Sequence, residues 1–161
     1  MNYKTEPYNE LVDSLSKHDI DLDQEVYFVP ENIFESKKSS DFVYSETTSD
    51  IRKVFRKENV PINYLTEDKP LLRSRKGADW FGPTLLFGFS VLINNPHVIG
   101  VSLNLVSSYL YDFFKGKIGD KSVKFEVVVE CKKKKEYKKI NYEGSVEGIP
   151  ELEKIIKALK P

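Results

Sequence analysis

A chain of 161 residues with 40% hydrophobic side chains, 10 Phe and 9 Tyr has the size and apolar content of one folded domain, which excludes a disordered segment. Its 25 basic and 25 acidic side chains cancel, so no global field draws it to nucleic acid or to an anionic membrane. The single cysteine, Cys131, excludes an internal disulfide framework and a multi-cysteine zinc site.

Zero net charge hides a blocky arrangement. Residues 1–50 carry 4 basic and 12 acidic side chains, residues 51–76 carry 8 basic and 3 acidic, and residues 115–161 carry 13 and 8. Complementary faces within the fold are the expected consequence. The opening MNYKTEPYNE has no apolar run of the kind a secretory leader needs, so a cytoplasmic location is expected.

Tyr8, Leu11, Val12 and Leu15 recur at helical spacing after Pro7, which predicts a helix to about Lys17. Asp19, Asp21 and Asp23 begin like a calcium loop. Gln24 and Pro30 stand where that loop needs its glycine and its bidentate acid, so no metal and no other cofactor is expected. Val26–Val29, stopped by Pro30, reads as a buried strand, and the polar tract 35–40 as a surface loop. Ile51, Val54 and Phe55 share one helical face while Arg52, Lys53, Arg56 and Lys57 point to solvent, and Asn59 suits the helix end. Ile62–Leu65 then returns as a strand, which makes a βαβ unit with a parallel pair. The segment after Val29 contains no glycine, so a phosphate-cradling loop is not expected there. Leu71–Arg75 is a further strand or an extended arm on which Arg73 and Arg75 face the same way, a conceivable anion site.

Between Asp79 and Asp112 there is no charged residue. Pro83 and Pro96 divide this stretch into two expected helices, 83–93 and 96–114, the second ending before Gly116. Neither meets the length and apolarity of a membrane span, so no transmembrane segment and no membrane-surface contact are expected. Ile99, Leu103, Val106, Leu110 and Phe113 form an apolar stripe, whereas Gly100, Asn104, Ser107, Ser108 and Tyr111 form a small, mildly polar one. That second stripe permits close helix approach and is the expected interaction face, with a homodimer as the specific expectation.

Val123, Phe125, Val127, Val129 and Cys131 alternate with Lys124, Glu126, Val128 and Glu130, a strand with one packed and one wet face. Lys132, Lys133, Lys134 and Lys135 turn the chain into a partner strand, residues 137–142, where the odd spacing of Tyr137 and Ile140 requires a bulge or a broken face. This lysine hairpin is the candidate nucleic-acid contact. Pro150 starts a last helix carrying Leu152, Ile155, Ile156 and Leu159. The whole chain, 1–161, is read as a single α/β or α+β domain. A βαβ-like half over 1–76 and a helix–helix–hairpin–helix half over 77–161 share a small mixed sheet, packed by a central helical pair and two terminal helices.

Catalytic motifs are missing from the sequence. His18 and His97 lack zinc-ligand spacing, no nucleophile elbow or phosphate-binding loop is complete, and Cys131 reads as a packed thiol. An enzyme, a small hydrolase or transferase, would have to assemble its site from Arg73, Arg75, Asp79 and His97.

The order Ala78-Asp79-Trp80-Phe81-Gly82-Pro83, Asn95-Pro96, Asp112-Phe113-Phe114-Lys115-Gly116 and Tyr142-Glu143-Gly144 resembles small uncharacterised bacterial proteins. It is also similar to the effector-associated constant components of bacterial conflict systems, over residues 75–160. What the resemblance implies is a non-catalytic accessory role in defence or toxin systems, with a protein partner.

Overall fold

The computed structural model describes residues 2–22, 26–74, 80–116 and 122–161, with backbone alone at 80 and 81. The elements run β1 (Asn2–Pro7), α1 (Glu10–Lys17), β2 (Val26–Val29), β3 (Val43–Ser45), α2 (Thr47–Lys57), β4 (Ile62–Tyr64), β5 (Leu71–Arg73) and β6 (Trp80–Phe87). They continue with α3 (Phe89–Asn94), α4 (His97–Phe114), β7 (Val123–Lys132), β8 (Glu136–Gly144), a 3-10 segment (Val146–Glu151) and α5 (Leu152–Lys157). Six strands make one mixed sheet in the order β1-β8-β7-β6-β2-β4, and β3 pairs with β5 in a separate parallel ribbon. The fold is α+β.

The expected parallel pair of strands is β2 with β4, joined through β3 and α2. The expected hairpin is β7 with β8, and its bulge falls between Glu130 and Lys132. Both the bulge and the broken face occur: Ile140 pairs with Val127 on one face while Tyr137 pairs with Glu130 on the other.

The expected helix 83–93 is a correction. Residues 80–87 form the strand β6, paired antiparallel with β2 on one side and parallel with β7 on the other, and only Phe89–Asn94 is helical. Leu85, Leu86 and Phe87 are all fully buried because both faces of this central strand are covered. Such a strand shows an unbroken apolar run, which periodicity does not separate from a buried helix. Pro83 lies inside the register shift between Phe81 and Thr84, where the ladder is interrupted and a missing N–H is tolerated. The strand β1 was invisible to pattern reading for the opposite reason: its residues are exposed and carry no apolar alternation.

One face of the sheet carries Phe28, Leu85, Phe87, Val127, Val129, Ile140 and Tyr142, all at most 6% exposed. It is roofed by α2, α4 and the 3-10/α5 unit through Ile51, Phe55, Leu103, Val106, Ile149 and Ile156. Two contacts tie the roof down. Thr48 Oγ1 and the Tyr64 hydroxyl lie 3.0 Å apart between α2 and β4, and the Tyr142 hydroxyl donates to the Ser145 carbonyl at 2.6 Å. Gly148 lies directly against the Tyr142 hydroxyl, with Cζ 3.0 Å from where a Cβ would stand, so a side chain there has no room. The opposite face is covered over part of its extent by α1 through Leu11 and Leu15.

Glu130, expected on a wet face, is 2% exposed. It accepts hydrogen bonds from Phe89 N–H at 2.7 Å, Lys134 N–H at 3.0 Å and the Tyr137 hydroxyl at 2.8 Å. One carboxylate near the end of β7 thus starts α3 and closes the hairpin. It also accounts for Lys134, whose φ of 61° is a left-handed conformation that no glycine supplies. Burial and then Glu130 push the Tyr137 phenol well above its ordinary value.

Candidate functional site

Strand pairing lays Val29, Thr84, Glu126, Asn141 and Lys4 side by side on β2, β6, β7, β8 and β1, on the α1 side of the sheet. Since α1 covers the other half of that face, this row is the floor of an open cleft of about 640 Å³. Flanking rows add Lys124 with Glu143, and Lys139 with Glu6. The volume falls in the range of small-molecule and peptide sites.

The floor is bonded across strands. Thr84 Oγ1 donates to Glu126 Oε2 at 2.9 Å, and Asn141 Nδ2 donates to Glu6 Oε1 at 3.2 Å. Lys139 Nζ lies 3.5 Å from the same Glu6 oxygen and 4.5 Å from the centre of the Tyr8 ring. The bond from Asn141, with the lysines Lys139 and Lys4, holds the Glu6 carboxyl below the usual carboxylate range. Burial pushes the Tyr8 phenol up to about 12, with Glu126 the leading charge behind it.

The wall is aromatic. Tyr8 is pinned by its own N–H, which donates to the Tyr137 carbonyl at 2.8 Å. Phe34 meets its ring edge-on at 5.6 Å and is 41% exposed. Asn32 shapes the loop that presents Phe34: its Nδ2 donates to the Asp41 carbonyl at 2.9 Å, its Oδ1 accepts from Val43 N–H at 2.8 Å, and its carbonyl accepts the Ser36 hydroxyl at 2.9 Å. The loop therefore sends Ile33 inward, 2% exposed, and Phe34 out to the rim. Acceptors, ammonium donors and an apolar wall thus share one opening.

Those expected site residues that are described lie elsewhere. Gly100 packs directly on the Glu153 carboxylate, and Ser107, 5% exposed, donates from Oγ to the Val146 carbonyl at 3.4 Å, so these two serve contacts inside the chain. Asn104, Ser108 and Tyr111 stay exposed, with the Tyr111 hydroxyl bonded to Glu147. Arg73 meets Glu31 at 3.5 Å, and His97 stands exposed at the start of α4; neither lines the cleft. Arg75 and Asp79 lie outside the described residues. Within the lysine hairpin, Lys132 pairs with Glu136 at 3.4 Å and Lys134 with Asp21 at 2.9 Å, while Lys133 and Lys135 have no ion pair among the described residues.

The four cations of α2 behave differently from the hairpin. Arg52, Lys53, Arg56 and Lys57 have no carboxylate partner among the described residues, and Arg52 lies 5.6 Å from the centre of the Tyr64 ring. Arg52 and Arg56 line a shallow groove of about 310 Å³ with Asn59 and Asn63.

Among the described residues no cluster of three His, Cys, Asp or Glu side chains suits a metal, and no helix is long and apolar enough to cross a membrane. An α+β sheet with one helical face and one half-open polar face is the class that fold and cleft define. No protein-family model, curated protein or solved structure matches the chain.

Proposed function

We propose that the protein is a non-catalytic interaction module that holds an extended peptide segment of a partner protein in the cleft over Thr84, Glu126 and Asn141. The observation that carries this reading is the row of alternating acceptor and donor side chains across the strands, closed by the exposed Phe34. A peptide offers the matching mixture of amide donors, carbonyl acceptors and apolar side chains, whereas a polyanion would meet Glu6, Glu126 and Glu143. An accessory role in the cytoplasm beside a bacterial defence or toxin effector, the setting implied by the sequence resemblance, accords with such a module.

Panning a displayed random-peptide library on the whole protein tests this. Selected peptides are expected to bind in calorimetry and to lose at least about tenfold in affinity to Phe34→Ala and to Lys124→Glu, about 1.4 kcal/mol per tenfold. Failure to select any peptide, or peptides bound equally by both variants, overturns the reading.

A nucleic-acid reading is supported by the cations of α2, which have no carboxylate partner among the described residues, rather than by the hairpin. Like charges at i and i+4, here Arg52 with Arg56 and Lys53 with Lys57, cost a helix about 0.2–0.5 kcal/mol per pair unless an anion arrives. If phosphates are that anion, anisotropy with a labelled DNA duplex shows salt-dependent binding. Arg52→Glu with Arg56→Glu then weakens it more than Lys133→Ser with Lys135→Ser. Equal effects of the two pairs would remove α2 as the contact.

A further inference from the structure

β1 is the outer edge of the six-stranded sheet, with β8 as its neighbour on one side and no described strand on the other. Five of its six residues are exposed. Which backbone groups face outward follows from the ladder. Tyr8 N–H donates to the Tyr137 carbonyl at 2.8 Å, and antiparallel pairs alternate between bonded and non-bonded positions. Asn2, Lys4 and Glu6 therefore turn their N–H and C=O groups toward β8, while Tyr3 and Thr5 turn theirs to the outside and Pro7 offers an outward carbonyl only.

We propose that this edge pairs antiparallel with the same edge of a second copy, about a two-fold axis perpendicular to the sheet, with Thr5 opposite Thr5. Outward groups must meet outward groups, and of the registers that allow this, two engage both Tyr3 and Thr5 within Asn2–Pro7: Thr5 opposite Thr5, or Lys4 opposite Lys4. Charge decides between them. In the first register Lys4 stands opposite Glu6 of the second copy, and the same pair recurs on the other side of the axis. In the second register two Lys4 ammonium groups face each other, which destabilises a cross-strand pair. Within the chain Lys4 reaches Glu6 only at 3.8 Å, with its side chain 77% exposed, so it is free to exchange that contact.

Backbone bonds accompany the charges. Thr5 exchanges N–H and C=O with Thr5 of the second copy, and each Tyr3 N–H donates to the Pro7 carbonyl opposite. Tyr3, 49% exposed, gains the Pro7 ring of the second copy as a neighbour. Because the axis is perpendicular to the sheet, both polar faces stay on the same side. Asn2 and Lys4 line the rim of the cleft, so the two clefts open toward each other across the axis and make one groove. The pairing itself does not depend on what the cleft holds.

Sedimentation velocity of the full chain at low salt, up to about 1 mM, is the test; a dissociation constant in that range corresponds to about 4 kcal/mol. Wild type is expected to show a concentration-dependent monomer–dimer equilibrium. Lys4→Glu alone and Glu6→Lys alone each weaken it by at least about tenfold, the scale of two lost exposed pairs and two like-charge contacts. Mixed in equal amounts, these two variants form a heterodimer, since each then meets opposite charges at positions 4 and 6. Thr5→Pro removes an outward N–H without touching the bonds to β8, so it abolishes the dimer while leaving the thermal unfolding midpoint little changed. A wild-type monomer throughout the range overturns the proposal. So does a dimer that survives Thr5→Pro, or a failure of the mixed variants to pair.

Discussion

Glu130→Ala is expected to lower the unfolding free energy by about 3–4 kcal/mol. The carboxylate is 2% exposed and accepts from Phe89 N–H, Lys134 N–H and the Tyr137 hydroxyl, so its removal leaves three donors without an acceptor at once. Each buried donor left unpaired costs about 1–3 kcal/mol, and two of the three bonds are only partly shielded, which keeps the sum toward the lower end. The loss reaches beyond the local bonds. Lys134 keeps its left-handed backbone, φ 61°, through the bond to Glu130, so the hairpin end is expected to loosen together with the first turn of α3. Tyr137→Phe, which deletes one donor and leaves the other two paired, is expected to cost about 1 kcal/mol. Urea unfolding of both variants measures the difference, and a Glu130→Ala loss under about 1 kcal/mol would show that the three donors find water instead.

The second large effect concerns β6. Phe87→Ala is expected to cost about 3–5 kcal/mol, because the ring is fully buried between the pairings to Val26 and Val129 and its cavity is walled by strands that do not collapse. Phe113→Ala, near the end of α4, is expected to cost under about 1 kcal/mol, since that ring is 36% exposed. The pair separates an inner strand from the end of a helix, although both residues lie in segments expected as helices. Similar losses at both positions, measured by chemical denaturation, would be incompatible with β6 as the sheet's inner strand.

The stability of this protein thus gathers in the middle of the sheet, while its proposed chemistry gathers at the open end. The two regions share β7: Val127 and Val129 face the helical roof, Glu126 faces the cleft, and Glu130 is buried and bonded to the first residue of α3. A substitution at Glu126 therefore tests binding with little loss of fold, whereas its neighbour four residues on tests the fold.

Pattern alone located α1, α2, α4, α5 and the hairpin β7 and β8, whose one-sided burial leaves a period in the order of residues, and it found the parallel pair β2 and β4 as short apolar runs, β2 stopped by Pro30 and buried throughout. Zero net charge, the lone Cys131 and the incomplete calcium loop were likewise legible without coordinates. β1 and β6 were not. One is exposed on nearly all its residues and the other buried on both faces, and an element without contrast between its sides has no period to read.

The cleft was beyond sequence for a different reason. Thr84, Glu126, Asn141 and Lys4 are far apart in the chain and become neighbours only through strand order and register. The burial of Glu130 has the same origin: alternation along β7 marks it as wet, and only the placement of α1 over that end of the face encloses it. The small-residue stripe of α4 completes the lesson. Gly100 and Ser107 were readable as a close-approach surface, but that their neighbour is the chain's own 3-10/α5 unit was settled by tertiary packing. The sequence by itself determined which residues must be buried and which segments repeat at a structural period. The sheet order decided which polar side chains meet, because pairing is a relation between strands and no strand carries it alone.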